Sequence, residues 1–456
     1  MIRRFRDYFH SWITPRPHGD TKLLTKIRSY LSTVYNESYG PGVADIETAM
    51  FTIINIHFTY DLSARNISEG ILDGIDTRIK LSAKDCALLG QHAAVTKFYT
   101  VAFEWLEHAL NLVKNNLTAD SDNITYEDLY DALLTAEISH DEDALKPEWE
   151  QDPKFFTEPI GQGLDQLGSP TQRTSKKSLQ YKESENKNYS LSRFSGICNG
   201  RFHQTNSEVS KLFCWLEREI HPIYKIGPVK AEFISIHEGV EVVHYHDVID
   251  DAVITSLTNL THVGFKRFPY NALTRSYLQR QSTTMTVRES DAPRNLLQLA
   301  QRLTGLKAKN VPYQDRMVVS VYTPGGYFGE RLEKTRGTLA SFMFHLSDVE
   351  RGGDTVFLNS GAKAVSKKGS VIFWYNRYSS GRLNKLARYG DCPVIFGVKW
   401  TAFWLAPHDQ QNHLQCHLEP LRSPEVLVNG KSKYLESQYN INHLGPGVLS
   451  RPERNI

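Results

Sequence analysis

Residues 317–416 constrain the fold more than any other stretch. They read VVSVYTPGGYFGERLEKTRGTLASFMFHLSDVERGGDTVF, then KKGSVIFWYNRYSSG, then ARYGDCPVIFGVKWTAFWL. Short β-branched and aromatic runs at 318–322, 371–375 and 394–396 alternate with glycine-rich turns. This spacing predicts an antiparallel sandwich or jelly roll.

The remainder of the chain reads differently. Residues 21–35 carry Leu23, Leu24, Ile27, Leu31 and Val34 at helical spacing, which predicts an amphipathic helix. A second helix is expected over 44–61. Ser82 is placed to cap SAKDCALLGQHAAV, and 97–115 completes a helical hairpin in which Leu89, Gly90, Ala93, Ala102 and Trp105 take the small and aromatic positions of a tetratricopeptide-like unit. Residues 150–195 are rich in Ser, Lys, Gln, Asn and Gly and poor in apolar residues, which reads as a linker. A further amphipathic helix is expected over 295–306. In VVHYHDVIDD, His244, His246 and Asp247 invite a metal reading. A strand running into a helix, with Asp247 near the cap and Asp250 and Asp251 in the first turn, accounts for the same residues without one.

Charge and hydropathy exclude some classes. The 53 basic and 51 acidic residues leave +2, which favours neither nucleic acid nor an anionic membrane surface. No apolar run approaches the ~18–20 residues needed to span a bilayer. The first twenty residues hold positive charge without an uninterrupted apolar core, so no signal peptide is visible. Sequons at Asn36, Asn66, Asn116, Asn123, Asn188 and Asn259 suit a secretory compartment. Five cysteines fall at Cys86, Cys198, Cys214, Cys392 and Cys416. Their spacing leaves five unrelated thiols and two local bridges equally open. Each local bridge would contribute about 3 kcal/mol in the chain-entropy model.

The words FTYDL, KDCALLG, FEWLEHAL, SGICNGRF and KLFCWLEREIHPIYKIGPVKAEFISI, followed by the 317–416 stretch, resemble the collagen-type prolyl 4-hydroxylase α subunit. The resemblance runs over roughly 44–416. It implies an α+β multidomain chain: a helical remnant at 1–40, a tetratricopeptide-like peptide-binding domain at 41–149 and a linker at 150–195. A double-stranded β-helix (jelly roll) with flanking helices follows at 196–420, and then a tail at 421–456. It further implies disulfides Cys198–Cys214 and Cys392–Cys416, and residence in the endoplasmic reticulum lumen beside protein disulfide isomerase. With that location, the true N-terminus is expected to lie upstream of Met1. The ending RPERNI holds no retrieval tetrapeptide. The peptide module would hold a proline-rich or collagen-like chain against Tyr60, Tyr99 and Tyr130, since flat aromatic faces pack on a polyproline II ridge. Thr100, Leu133 and Ala136 stand where further groove tyrosines are expected.

The family's cofactors are iron(II), 2-oxoglutarate and ascorbate. Iron requires two imidazoles and a carboxylate on one face. The resemblance carries these positions onto Arg331, Glu333 and Tyr389, after the turn made by Tyr322, Gly325 and Gly326. A guanidinium has no lone pair to give and repels a cation. Glu333 alone is a plausible ligand, and Tyr389 must first ionise from a pKa of about 10. A slip of one residue brings Glu330 and Leu332 instead. His345, His408, His413 and His417 have no spacing argument. Lys399 and Tyr322 match the positions that hold 2-oxoglutarate, with Arg331 as a second cation, or Arg331 and Glu333 pair with each other. The resulting expectation is a hydroxylase scaffold without hydroxylation. The competing expectations are a dioxygenase with an atypical metal site and a lectin-like jelly roll.

Overall fold

The computed structural model describes residues 43–115, 124–144, 188–217, 229–237, 239–261, 266–268, 280–287, 291–307, 317–334, 337–378, 380–408 and 411. The helix expected over 21–35, most of the linker, Cys416, His413, His417 and the tail lie outside them. The chain divides into two compact units, 1–183 with 270–275, and 184–269 with 276–456.

The first unit is helical: α1 (Val43–Tyr60), α2 (Ala64–Ser68), a small hairpin of β1 (Ile71–Leu72) and β2 (Ile75–Asp76), α3 (Ala83–Val95), α4 (Tyr99–Lys114) and α5 (Tyr126–Ala144). Ser82 caps α3 as its position predicts. Its hydroxyl accepts from the Asp85 amide while the Asp85 carboxylate accepts from the Ser82 amide, which satisfies two otherwise orphaned donors. Gly90 lets α3 and α4 approach closely, because a Cβ there would stand 2.6 Å from Leu106 Cγ. Phe51, Ile54, Phe98, Phe103, Trp105 and Leu106 fill the core between these helices.

The second unit is predominantly antiparallel β. It opens with α6 (Asn188–Cys198), α7 (Asn206–Val209), β3 (Cys214–Glu217), β4 (Val229–His237), β5 (Val240–Tyr245), α8 (Asp251–Thr261), β6 (Lys266–Phe268), β7 (Arg280–Val287) and α9 (Asp291–Thr304). The strands β8 (Met317–Tyr322), β9 (Tyr327–Arg331), β10 (Thr338–His345), β11 (Val349–Gly352), β12 (Thr355–Phe357) and β13 (Ala362–Ala364) follow. β14 (Val371–Tyr375), β15 (Tyr389–Asp391), β16 (Val394–Gly397) and β17 (Lys399–Pro407) complete it. Pairing runs β13-β12-β15-β9-β7-β8-β17-β10-β14-β5-β4-β3, with β6 on β7 and β11 on β16.

Side-chain alternation builds two cores on this sheet. Phe342 and Phe344 of β10 point to one face, where Val371, Phe373 and Trp404 meet Ile254 and Leu257 of α8 and Leu296 and Ala300 of α9. Met343 points to the other face, with Val242, Ile372 and Trp374, against Phe357, Ala362, Ala364 and Tyr389 from the opposing strands. The second unit is therefore a bent sandwich with helices on one outer face. β5 runs into α8 as expected, although it is Asp250, whose Oδ1 accepts from the Ala252 amide, that receives the helix start. Asp247 takes a left-handed turn at φ 53°.

The cysteine pairing differs from the local pattern the family implies. Cys198 bonds Cys392 across 194 residues, with Cα atoms 5.8 Å apart. Cys198 closes α6 and Cys392 directly follows β15, and the packing of α6 on this part of the sheet brings them within bridging distance. Cys214, at the start of β3, is a free and exposed thiol, so the expected Cys198–Cys214 bridge is not formed. With Cys392 already bonded, neither is Cys392–Cys416.

Candidate functional site

The turn through Tyr322, Gly325 and Gly326 sets the first wall of the site. Gly325 adopts φ 77°, and a Cβ on Gly326 would fall 2.7 Å from the Thr323 carbonyl oxygen. Gly325 donates to Val394 O at 2.7 Å. The turn thus feeds β9 beside β15. The ladders then decide which side chains face one another: Arg331 lies opposite Tyr389, Asp391 opposite Thr355, and Lys399 opposite Tyr322.

The result is a closed polar network around Asp391. Its Oδ1 receives Lys399 Nζ at 2.8 Å and Thr355 Oγ1 at 2.8 Å. Its Oδ2 receives Arg331 Nη2 at 2.9 Å. Lys399 Nζ also reaches Thr355 Oγ1 at 3.0 Å and stands 5.7 Å from the centre of the Tyr322 ring. The Arg331 guanidinium lies between two rings, 3.7 Å from the Phe328 centroid and 4.1 Å from that of Tyr389. Lys399, Thr355, Asp391 and Tyr389 are all at most 1% exposed.

Electrostatics keep this network charged. Burial opposes ionisation of Asp391, but Lys399 and then Arg331 outweigh it and hold its carboxyl well below the usual carboxylate range. Burial also works against the charge of Arg331; Tyr389 and Asp391 more than offset it, and its pKa is raised. Burial pushes the Tyr389 hydroxyl up, against the pull of Arg331, so its phenolate form is disfavoured.

Of the residues that the resemblance carries onto the iron positions, Arg331 and Tyr389 are poor ligands by residue type and surroundings. Arg331 is a fixed cation, Tyr389 stays protonated, and Asp391 is already shared by two cations. The partner of Arg331 is Asp391, which spacing did not point to, where Glu333 was the expected one. A one-residue slip gives no better set, because Glu330 is bound to Arg388 at 3.0 Å. His345 turns Nδ1 to Ser370 Oγ at 2.9 Å inside the sheet, and His408 lies just past β17. Lys399 and Tyr322 do come together as expected, but the Lys399 ammonium is spent on Asp391. Asp391 and Thr355 are the members of the site that sequence reasoning missed.

In the helical unit the three expected peptide-contacting tyrosines have different surroundings. Tyr99 is 3% exposed; its hydroxyl donates to Asp143 Oδ2 at 2.7 Å and Ser139 O at 3.1 Å, and its ring stacks on Phe103. It is a core residue and offers no free face. Tyr60 closes α1 half-buried. Tyr130 is half-buried and stacks on exposed Tyr126 with centroids 6.4 Å apart, so α5 presents an aromatic pair. Leu133 and Ala136 are core.

Comparison with known proteins returns one class. No protein-family model matches the chain. The prolyl 4-hydroxylase subunit alpha-1 of Homo sapiens is 26% identical over 419 residues, covering 84% of this chain and 78% of the relative. That of Gallus gallus is 27% identical over 416 residues, covering 84% and 80%. A collagen prolyl hydroxylase of Paramecium Bursaria Chlorella virus-1, solved with 2OG, aligns with 36% of this chain and 94% of its own. Its identity is 18% and its TM-score 0.30. Over most of its length the chain is similar to prolyl 4-hydroxylase α subunits, the resemblance its sequence words carry.

Proposed function

We propose that this chain is a prolyl 4-hydroxylase α-subunit-like protein that keeps the family scaffold and does not hydroxylate proline. The observation that carries the reading is Asp391, which bridges Lys399 and Arg331 through its two oxygens at 2.8 and 2.9 Å. In a 2-oxoglutarate oxygenase the lysine holds the far carboxylate of the cosubstrate. Here an internal carboxylate takes that place, and its other oxygen neutralises the arginine seated where a metal ligand belongs. Arg331, Lys399 and Asp391 together retain one net positive charge, which opposes a metal cation in either oxidation state.

On this reading the second unit is a double-stranded β-helix, and residues 41–149 form a tetratricopeptide-like module for proline-rich or collagen-like chains. Tyr60 and the Tyr126–Tyr130 pair would supply its aromatic faces. The sequons, the Cys198–Cys392 bridge and the kinship with α subunits support a lumenal compartment, with protein disulfide isomerase as partner. Ascorbate has no role without iron turnover.

The test is iron(II)-dependent decarboxylation of 2-oxoglutarate by the purified full chain, with and without a proline-rich peptide. The reading expects succinate at the level of an iron-free control. Succinate above that control, lost on Lys399→Ala, would establish a working dioxygenase with an atypical metal site.

A further inference from the structure

A second polar cluster lies on β4, on β5 and on the residue that follows β5. Glu232 and His244 are direct partners in the ladder, and the His246 amide donates to Lys230 O one step further. His244 on β5 and His246, just past its end, both lie toward Glu232, and the ladder partner of His244 on β14 is Ile372. Glu232 Oε1 is 2.8 Å from His246 Nε2 and 3.7 Å from His244 Nδ1, and the two imidazole centroids are 4.2 Å apart. One ligand atom from each residue falls within 4.8 Å of the others.

A strand–helix junction with a hydrogen-bonded histidine accounts for only part of this cluster. The Glu232 contact satisfies His246. It does not satisfy His244, which is 4% exposed. His244 Nδ1 stands beyond hydrogen-bond range of Glu232, and its Nε2 is buried with no partner. An unsatisfied buried imidazole nitrogen is destabilising, and packing alone would be served better by an apolar residue there. His345, perpendicular to His244 with centroids 6.1 Å apart, likewise has Nε2 buried without a partner.

We infer that Glu232, His244 and His246 form a binding site for a zinc-class divalent cation, separate from the Arg331 position. Two imidazoles and one carboxylate suit borderline ions such as zinc rather than calcium or magnesium, which take oxygen ligands. Tetrahedral ligands at about 2.0–2.2 Å from zinc lie roughly 3.3–3.5 Å from one another. The ligand atoms all lie within 4.8 Å of one another, and Glu232 Oε1 stands 2.8 and 3.7 Å from nitrogens of His246 and His244, so side-chain rotation can bring the three to that spacing. Lys230 takes Glu232 Oε2 at 3.3 Å, which leaves Oε1 for the metal. Three protein ligands leave a fourth position open to water or an anionic ligand.

The site does not depend on the functional reading above and stands if that reading fails. Its test uses the full, tag-free chain, stripped with chelator and titrated with zinc by calorimetry, with cobalt(II) absorption reporting ligand geometry. One equivalent should bind. Glu232→Gln, at a half-exposed position that keeps its shape, and His244→Ala with His246→Ala should each weaken binding at least about ten-fold. Glu333→Gln should leave stoichiometry and affinity unchanged. Circular dichroism and thermal melting check that each variant is folded, and an unfolded double variant leaves Glu232→Gln to decide. Absence of binding by the wild-type chain overturns the assignment. So does zinc that survives Glu232→Gln, or zinc that is lost on Glu333→Gln.

Discussion

Two polar clusters of the β unit are assembled by the same device and end in opposite states. In each, ladder register brings residues from neighbouring strands face to face. At the Asp391 network one carboxylate meets an arginine and a lysine, and both its oxygens accept from a cation. At Glu232 one carboxylate meets two imidazoles, and a buried nitrogen is left over. Strand pairing decides which positions meet. Side-chain chemistry then decides whether the meeting place rejects a cation or accepts one. On the proposed reading, the Asp391 network is of the first kind.

The largest test of that contrast is Asp391→Asn. It strips two buried cations of their carboxylate, and breaking such a pair costs about 3–5 kcal/mol; denaturant unfolding should show a loss of this size. Replacing Arg331, Asp391 and Lys399 together by Met, Leu and Met should recover most of it, because well-packed apolar groups of similar volume substitute for buried ion pairs at little cost. A loss below about 1 kcal/mol in the single variant would remove Asp391 from its central role.

Next in size is the bridge that anchors this network. Cys392 follows Asp391 directly, so Cys198→Ser frees the end of β15. The expected loss is about 2–5 kcal/mol, the usual range for a native bridge, measured against wild type under oxidising conditions. An unchanged midpoint would mean that the bridge does not form in solution.

Acid gives a smaller and more specific signal. Asp391 is held below the usual carboxylate range in the folded chain, so the unfolded chain takes up its proton first as pH falls. The stability it contributes is complete above an unfolded pKa of about 3.9 and drains away below it. Between pH 5 and pH 3 the wild type should lose about 1 kcal/mol more than Asp391→Asn. Equal losses in the two proteins would contradict the pairing.

The smallest effect belongs to the other cluster. Lys230 and Glu232 form a largely exposed pair at 3.3 Å, so Lys230→Ala should change stability by about 0.5 kcal/mol or less. A larger loss would make the lysine, rather than a metal, the partner that Glu232 requires.

Much of the scaffold was legible in the sequence because local patterns encode local structure. Runs at 318–322, 371–375 and 394–396 became Met317–Tyr322, Val371–Tyr375 and Val394–Gly397. The helix expected over 44–61 became Val43–Tyr60, and the Ser82 cap formed as predicted. That the Arg331 guanidinium has no lone pair to offer a metal follows from residue type alone. What could not be read was everything set by distant pairing. Asp391 is one acidic residue in a turn-like word, and only the alignment of β15 with β12 and β9 shows that it meets Thr355 and the Arg331 side chain. Cys198–Cys392 spans 194 residues, a distance at which spacing carries no preference. Glu232 reaches His244 across a ladder with an irregularity between Phe233 and Ser235, and no period in the sequence marks it. Tyr99 illustrates the converse, since an aromatic at a familiar helical position turned out to be core.

On the proposed reading, Asp391 occupies the Lys399 ammonium that would otherwise anchor the cosubstrate. Calorimetric titration of the chain with 2-oxoglutarate, in the presence of manganese(II) as a redox-inert stand-in for iron, tests it most directly. The account predicts no saturable binding by the wild type. Saturable one-to-one binding by the wild type, abolished by Lys399→Ala, would show the anchor to be open and would contradict it.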